Sequence, residues 1–117
     1  MAGTTVLIIS EAPYGNEKSW NALRLAKALV AIKQNIKVFL LGDAVALAKK
    51  GQKTPAGYYN LAQMVADLIS SGVEVRVCVT CVDARGLRTE ELVDGVAIGK
   101  MLDLAHWVEE GSKVLTF

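Results

Sequence analysis

A chain of 117 residues is the length of one domain, and its 52% hydrophobic content is enough for a core and too much for a disordered segment. Thirteen Lys and Arg against twelve Asp and Glu leave a net charge of +1, with no basic block or stripe, which argues against a primary nucleic-acid binder. The mean hydropathy of +0.33 is high for a lone soluble domain and predicts apolar surface given over to a subunit interface, hence a homo-oligomer.

The first apolar run, Val6 to Ile9, is too short to cross a membrane. No pattern of charged, apolar and cleavage regions marks a signal peptide. Two cysteines three residues apart, Cys78 and Cys81, do not form a secreted disulfide framework. The expectation is a cytoplasmic protein with free thiols, residues 1–117 forming a single α/β domain.

In chain order, the β-branched run Thr4 to Ser10 predicts a strand buried on both faces of a parallel sheet. Glu11 to Lys18 contains Pro13 and Gly15 and reads as a loop, with Ser19 as the N-cap of a helix from Trp20 to Gln34 and Asn35 as its left-handed stop. A second strand, Ile36 to Leu41, closes at Gly42, and Asp43 is positioned to cap a short helix through Lys50. Gly51 to Gly57 is rich in turn residues and expected to be mobile. Tyr58, Leu61, Ala62, Val65, Leu68 and Ile69 recur at helical spacing, and Gly72 ends that helix.

Val73 to Cys78 alternates as a third strand and gives way to a segment with Asp83, Arg85 and Gly86 that reads as irregular. Thr89 begins a short helix with Glu90 and Glu91 in its first turn, and Gly95 to Ile98 reads as a short extended piece. Met101 to Glu110 is a last helix with Met101, Leu104, Ala105 and Val108 inward, stopped by Gly111 before a closing strand, Lys113 to Phe117. Alternating strands and helices predict an open, mostly parallel sheet of about five strands with helices on both faces, a three-layer, flavodoxin- or Rossmann-like α/β fold. Strands one and three are expected to be neighbours, which would set the Ser10–Lys18 loop beside the cysteines.

Ligands and chemistry collect at the carboxyl ends of strands in such sheets, where Cys78 and Cys81 lie. Cys78 could simply pack as a small hydrophobe. Alternatively, a strand end, a second thiol, Arg85 and a helix N-terminus near Thr89 would favour a nucleophilic thiolate able to attack a persulfide or disulfide sulfur. A thioredoxin-type site needs the Cys-x-x-Cys to open a long helix, which Gly86 argues against. Zinc needs four ligands where this motif supplies two, and His106 falls far away on the last helix, so no metal is expected. No phosphate-binding glycine motif is complete and no cofactor is expected. Tyr14 and Asn16 read as loop residues, and Trp20, Tyr58, Tyr59 and Trp107 as core or interface.

Several stretches add up to a resemblance: Ile8 to Gly15 after the first strand, Ala22 to Leu29 in the first helix, Val38 to Ala44, Cys78 with Arg85-Gly86, and the ending Lys113 to Phe117. In order and spacing they resemble the DsrE/DsrF-like family of sulfur-relay proteins (TusD/DsrE-like chains), over nearly the whole length. The resemblance implies a sulfur carrier or sulfurtransferase that accepts sulfane sulfur as a cysteine persulfide and hands it to a partner protein. It assigns the persulfide to Cys78, with Cys81 as resolving thiol or second acceptor. Arg85 and the amides from Thr80 to Gly86 would stabilise the sulfur anion. It also implies symmetric homo-oligomers (trimers or hexamers) or assembly with DsrF/DsrH-type paralogues, together with sulfur donor and acceptor proteins. Two other classes stay open: a non-catalytic oligomeric module binding a ligand or protein at the switch-point cleft, and a thiol–disulfide redox protein using Cys78 and Cys81.

Overall fold

Runs of β-branched and apolar residues become the strands β1 (Thr4–Ile9), β2 (Asn35–Leu40) and β3 (Glu74–Cys78), and shorter runs become β4 (Ala97–Gly99) and β5 (Lys113–Thr116). The structure, a computed structural model, describes residues 3–55 and 59–117. The helices are α1 (Lys18–Ala31), α2 (Leu61–Ser70), α3 (Val79–Ala84) and α4 (Met101–Glu110), with a 3₁₀ segment at Gly42–Ala48 and another at Thr89–Glu91. Tyr58, expected on the second long helix, lies outside the described residues, as do Ala56 and Gly57 of the turn-rich segment. Within the described part of that segment, Gln52 is fastened: its Nε2 donates to the carbonyls of Ala46, Leu47 and Lys49 at 3.0–3.1 Å.

All strand pairs are parallel, in the order β4-β3-β2-β1-β5. This is the expected three-layer α/β sheet, but the expected contact between strands one and three is corrected: β2 lies between them. Each crossover from β1 to β4 steps one place in the same direction, and only the last connection turns back to β5. Right-handed crossovers then put α1 and α2 on one face and α4 on the other. The first face is sealed by Ala22, Leu23 and Ala26 of α1, Leu61, Val65 and Leu68 of α2, and the buried 3₁₀ residues Val45 and Leu47. On the second, Trp107 meets Phe39 edge to face at 5.6 Å, with Lys37 and Arg76 over its ring. Among the described residues, no helix is long and apolar enough to cross a membrane.

Several local expectations shift by a residue or a face. Ser19 is not the N-cap of α1: it is fully buried inside the helix and donates to the Glu11 carbonyl at 2.6 Å, while Asn16 Oδ1 accepts the Lys18 amide at 2.8 Å. The left-handed stop falls on Lys33 (φ 64°) rather than Asn35, which belongs to β2 and bonds Thr4 across the register at 2.9 Å. Asp43 caps nothing; the 3₁₀ segment follows Leu41, and the carboxylate turns to Arg85.

On α4, Leu104 and Trp107 face inward, whereas Met101 and Val108 are exposed and Ala105 lies on the solvent side. Seating the largest side chain against Phe39 sets the helix phase, and the apolar positions on the opposite flank remain at the surface. Trp107→Ala should therefore cost about 3–5 kcal/mol in urea unfolding, whereas the exposed neighbour His106→Ala should stay within about 0.5 kcal/mol. Equal small costs for both would contradict this helix phase.

Candidate functional site

A parallel sheet gathers every strand's carboxyl end along one edge, and β3 delivers Cys78 there. The chain does not become irregular at this point, as the sequence suggested; Val79–Ala84 forms one short helix with Cys78 in the N-cap position (φ −66°, ψ 123°). The glycine that argued against a helix is what ends it: Arg85 closes α3, and Gly86 adopts φ 66°, a left-handed conformation suited to glycine. The Cys-x-x-Cys thus does open a helix, but one of only six residues. The short helix expected from Thr89 is a 3₁₀ turn of three residues, Thr89–Glu91, with Arg88 rather than Thr89 in the N-cap position.

Cys78 is 3% exposed, and Cys81, one turn on, is half-buried. The Cys78 sulfur lies 3.2 Å from the Thr80 hydroxyl. Burial acts to raise the Cys78 pKa. The Thr80 hydroxyl, the Cys81 thiol, and the amides of Cys81 and Thr80 act against it, and the net shift is downward. No amide makes a full capping bond to the sulfur, but the aligned pair still favours the anion. The Cys81 sulfur in turn accepts the Gly42 amide at 3.2 Å.

Arg85 reaches neither sulfur directly, in contrast to its expected role. Its Nε and Nη2 donate to Asp43 Oδ1 at 3.2 and 2.7 Å, and Nη1 donates to the Cys81 carbonyl at 3.1 Å. The guanidinium is a brace between the end of β2 and the cysteine helix. The pair is too solvated to add much stability; its effect is on geometry. The β1 loop, expected beside the cysteines, is occupied elsewhere. Tyr14 (φ 66°) bonds Gln52 and accepts the Leu61 amide at 3.0 Å, and its ring heads a stack with Tyr59 and Trp20 that Arg24 covers. Asn16 caps α1. His106 is exposed on α4, and among the described residues no three His, Cys, Asp or Glu side chains gather as a metal set.

Sequence reasoning missed Gly42, Asp43 and the Thr80 hydroxyl. The signal was there for the first two: a Gly-Asp pair ends the strand that pairs with β3, and it becomes a site candidate once β2 is known to be that neighbour.

Residues 4–117 match the DsrE/DsrF-like family. The chain belongs to that family. It is 45% identical over 114 residues to protein YchN of Escherichia coli K12, covering 96% of this chain and 97% of YchN. It is 40% identical over 111 residues to an uncharacterised protein of Methanopyrus kandleri, covering 95% and 91%. The YchN crystal structure superimposes with a TM-score of 0.91 at 42% identity over the full length of both chains. A Methanobacterium thermoautotrophicum protein of unknown function shares the fold at a TM-score of 0.77 and 16% identity, covering 98% and 99%. For a DsrE/DsrF-like chain a role of the sulfur-relay type is supported in general terms.

Because thiolate is the reactive form, Cys78 should react with methyl methanethiosulfonate with a pH midpoint below that of free cysteine. Thr80→Ala removes one of the bonds that lower the pKa and should move the midpoint upward, while Thr80→Ser should leave it in place. An unchanged midpoint in Thr80→Ala would remove the hydroxyl from this account.

Proposed function

We propose that this DsrE/DsrF-like chain is a cytoplasmic sulfur carrier, with Cys78 holding sulfane sulfur as a persulfide and passing it to an acceptor protein. The observation that carries the reading is the pairing of burial with anion stabilisation at Cys78, a thiol 3% exposed whose pKa is nonetheless shifted downward. A thiolate is needed to take sulfur from a donor, and a sheltered persulfide is slow to meet stray thiols. Cys81 supplies a second thiol in contact with the first. The sulfur donor and acceptor would be proteins docking at this edge of the sheet.

The same reading includes assembly, as a trimer or hexamer of identical chains or with DsrF/DsrH-type paralogues. Met101 and Leu102 are 60% and 68% exposed at the start of α4, and Val108 and Val114 are also exposed. Apolar side chains this open favour a covered surface.

Intact mass after incubation with a sulfane-sulfur donor and a brief chase with free cysteine tests the carrier chemistry. The wild type should retain a gain of about one sulfur atom, removable by dithiothreitol, and Cys78→Ser should retain none. A loss of two hydrogens with no sulfur gained would instead favour dithiol–disulfide exchange. For assembly, sedimentation should give a multiple of the 12.5 kDa chain, and Leu102→Glu should reduce it. A wild type that sediments as a single chain would end the homo-oligomer part.

A further inference from the structure

Cys78 and Cys81 differ in three ways that bear on how sulfur reaches the site. Cys78 is buried to 3% exposure at the end of β3, so a sulfur carried on a folded protein has little access to it. Cys81 is half-buried, one turn along α3, and nearer the surface. Its sulfur alone accepts a backbone amide from another element, Gly42 at 3.2 Å, a short distance for an N–H···S contact. That amide is aimed by the chain itself, since Gly42 sits at φ 54° in the left-handed region. The next residue, Asp43, is tied by Arg85 to the carbonyl of Cys81, so the amide and the sulfur are held from both sides.

We infer that sulfur enters through Cys81 and moves inward to Cys78, with the Gly42 amide holding the Cys81 sulfur anion and Asp43, through Arg85, positioning that amide. This rests on the sulfur-carrier reading and orders its steps, with delivery to the acceptor protein running back out through Cys81. In the first, the Cys81 thiolate attacks the outer sulfur of a protein persulfide donor. The donor's S–S bond breaks, its electron pair leaves on the donor thiolate, which takes a proton from solvent, and Cys81 becomes the persulfide. In the second, the Cys78 thiolate attacks the outer sulfur of that persulfide, the new S–S bond forms on Cys78, and the electron pair of the broken bond returns to the Cys81 sulfur. The Gly42 N–H then meets a full negative charge, as a donor should at a departing anion. Both steps are exchanges of sulfane sulfur between thiols and need no oxidant or reductant. Asp43 is a positioning residue: it touches no reacting atom.

The test compares two donors of different size, albumin carrying a cysteine persulfide and hydrogen persulfide, with sulfur on Cys78 read by peptide mass spectrometry. Wild type should load from both. Cys81→Ser should lose at least about tenfold more rate with the albumin donor than with hydrogen persulfide, because only the small donor reaches the buried thiol unaided. Cys81→Ala serves as the second variant and should behave alike. Equal losses with the two donors, or none, would overturn the inference. A wild type that loads from neither would overturn the carrier reading itself, a distinguishable failure. For the positioning role, Asp43→Ala should slow loading from the albumin donor about threefold and Asp43→Glu should restore it. A purely structural role would lower thermal stability and leave these rates unchanged, which would remove Asp43 from the path.

Discussion

The parallel pairing of β3 against β2 is the constraint on which the rest of this protein depends. Its register, Val38 with Val75 and Leu40 with Val77, sends both strands out of the sheet at the same level. Two chain segments far apart in sequence, Gly42-Asp43 and Cys78 to Arg85, therefore emerge side by side. The ion pair between Asp43 and Arg85 and the amide contact from Gly42 to Cys81 are consequences of that register. A slip by one residue would reverse the faces of β3 and exchange buried Val75 and Val77 for Glu74 and Arg76. Burial of the valines thus fixes, indirectly, the surroundings of a thiol.

At Cys78 two opposing effects meet, and their balance explains the choice of an N-cap position. Full burial in a strand would favour the neutral thiol and leave an inert core cysteine. Placing the residue at the junction of strand and helix keeps the burial but turns the amides of Thr80 and Cys81 and the Thr80 hydroxyl toward the sulfur. The helix need be no longer than one and a half turns for this, because only first-turn amides lie near the cap. A six-residue α3 suffices, and the chain is then released by Gly86 toward β4.

The architecture was legible in the sequence because its signals are local. β-branched runs mark β1 to β3, and the spacing of Leu61, Val65 and Leu68 marks α2. The family resemblance, drawn from stretches in the right order, led to the family that the chain matches. Strand order was not legible, since nothing in the run Thr4 to Ile9 says whether β2 or β3 lies beside it. That one missing fact displaced attention from Asp43 to the β1 loop. The helix α3 was hidden for a different reason: Val79, Thr80 and Val82 are β-branched, with weak helix propensity, and tertiary context overrides them. On α4 the spacing 101, 105, 108 and the spacing 104, 107 are both helical stripes. Only the partner Phe39 decides between them.

The surplus of apolar residues on α4 follows from the geometry of the sheet. Five strands at about 4.8 Å spacing span roughly 19 Å, whereas one helix is about 10 Å across. The face carrying α1, the 3₁₀ segment and α2 is covered by three elements, while among the described residues the opposite face has α4 alone. Trp107 and Leu104 account for the strands directly beneath it, and the cations of Lys37 and Arg76 close over the Trp107 ring on one side. Val114 on the edge strand β5, and Met101, Leu102 and Val108 on α4, fall outside that footprint. A sequence under pressure only to keep one chain soluble would place charge at those four positions, as it does at Glu109 and Glu110 nearby. Methionine, leucine and valine stand there instead, and they form the apolar surface on which the proposed assembly rests.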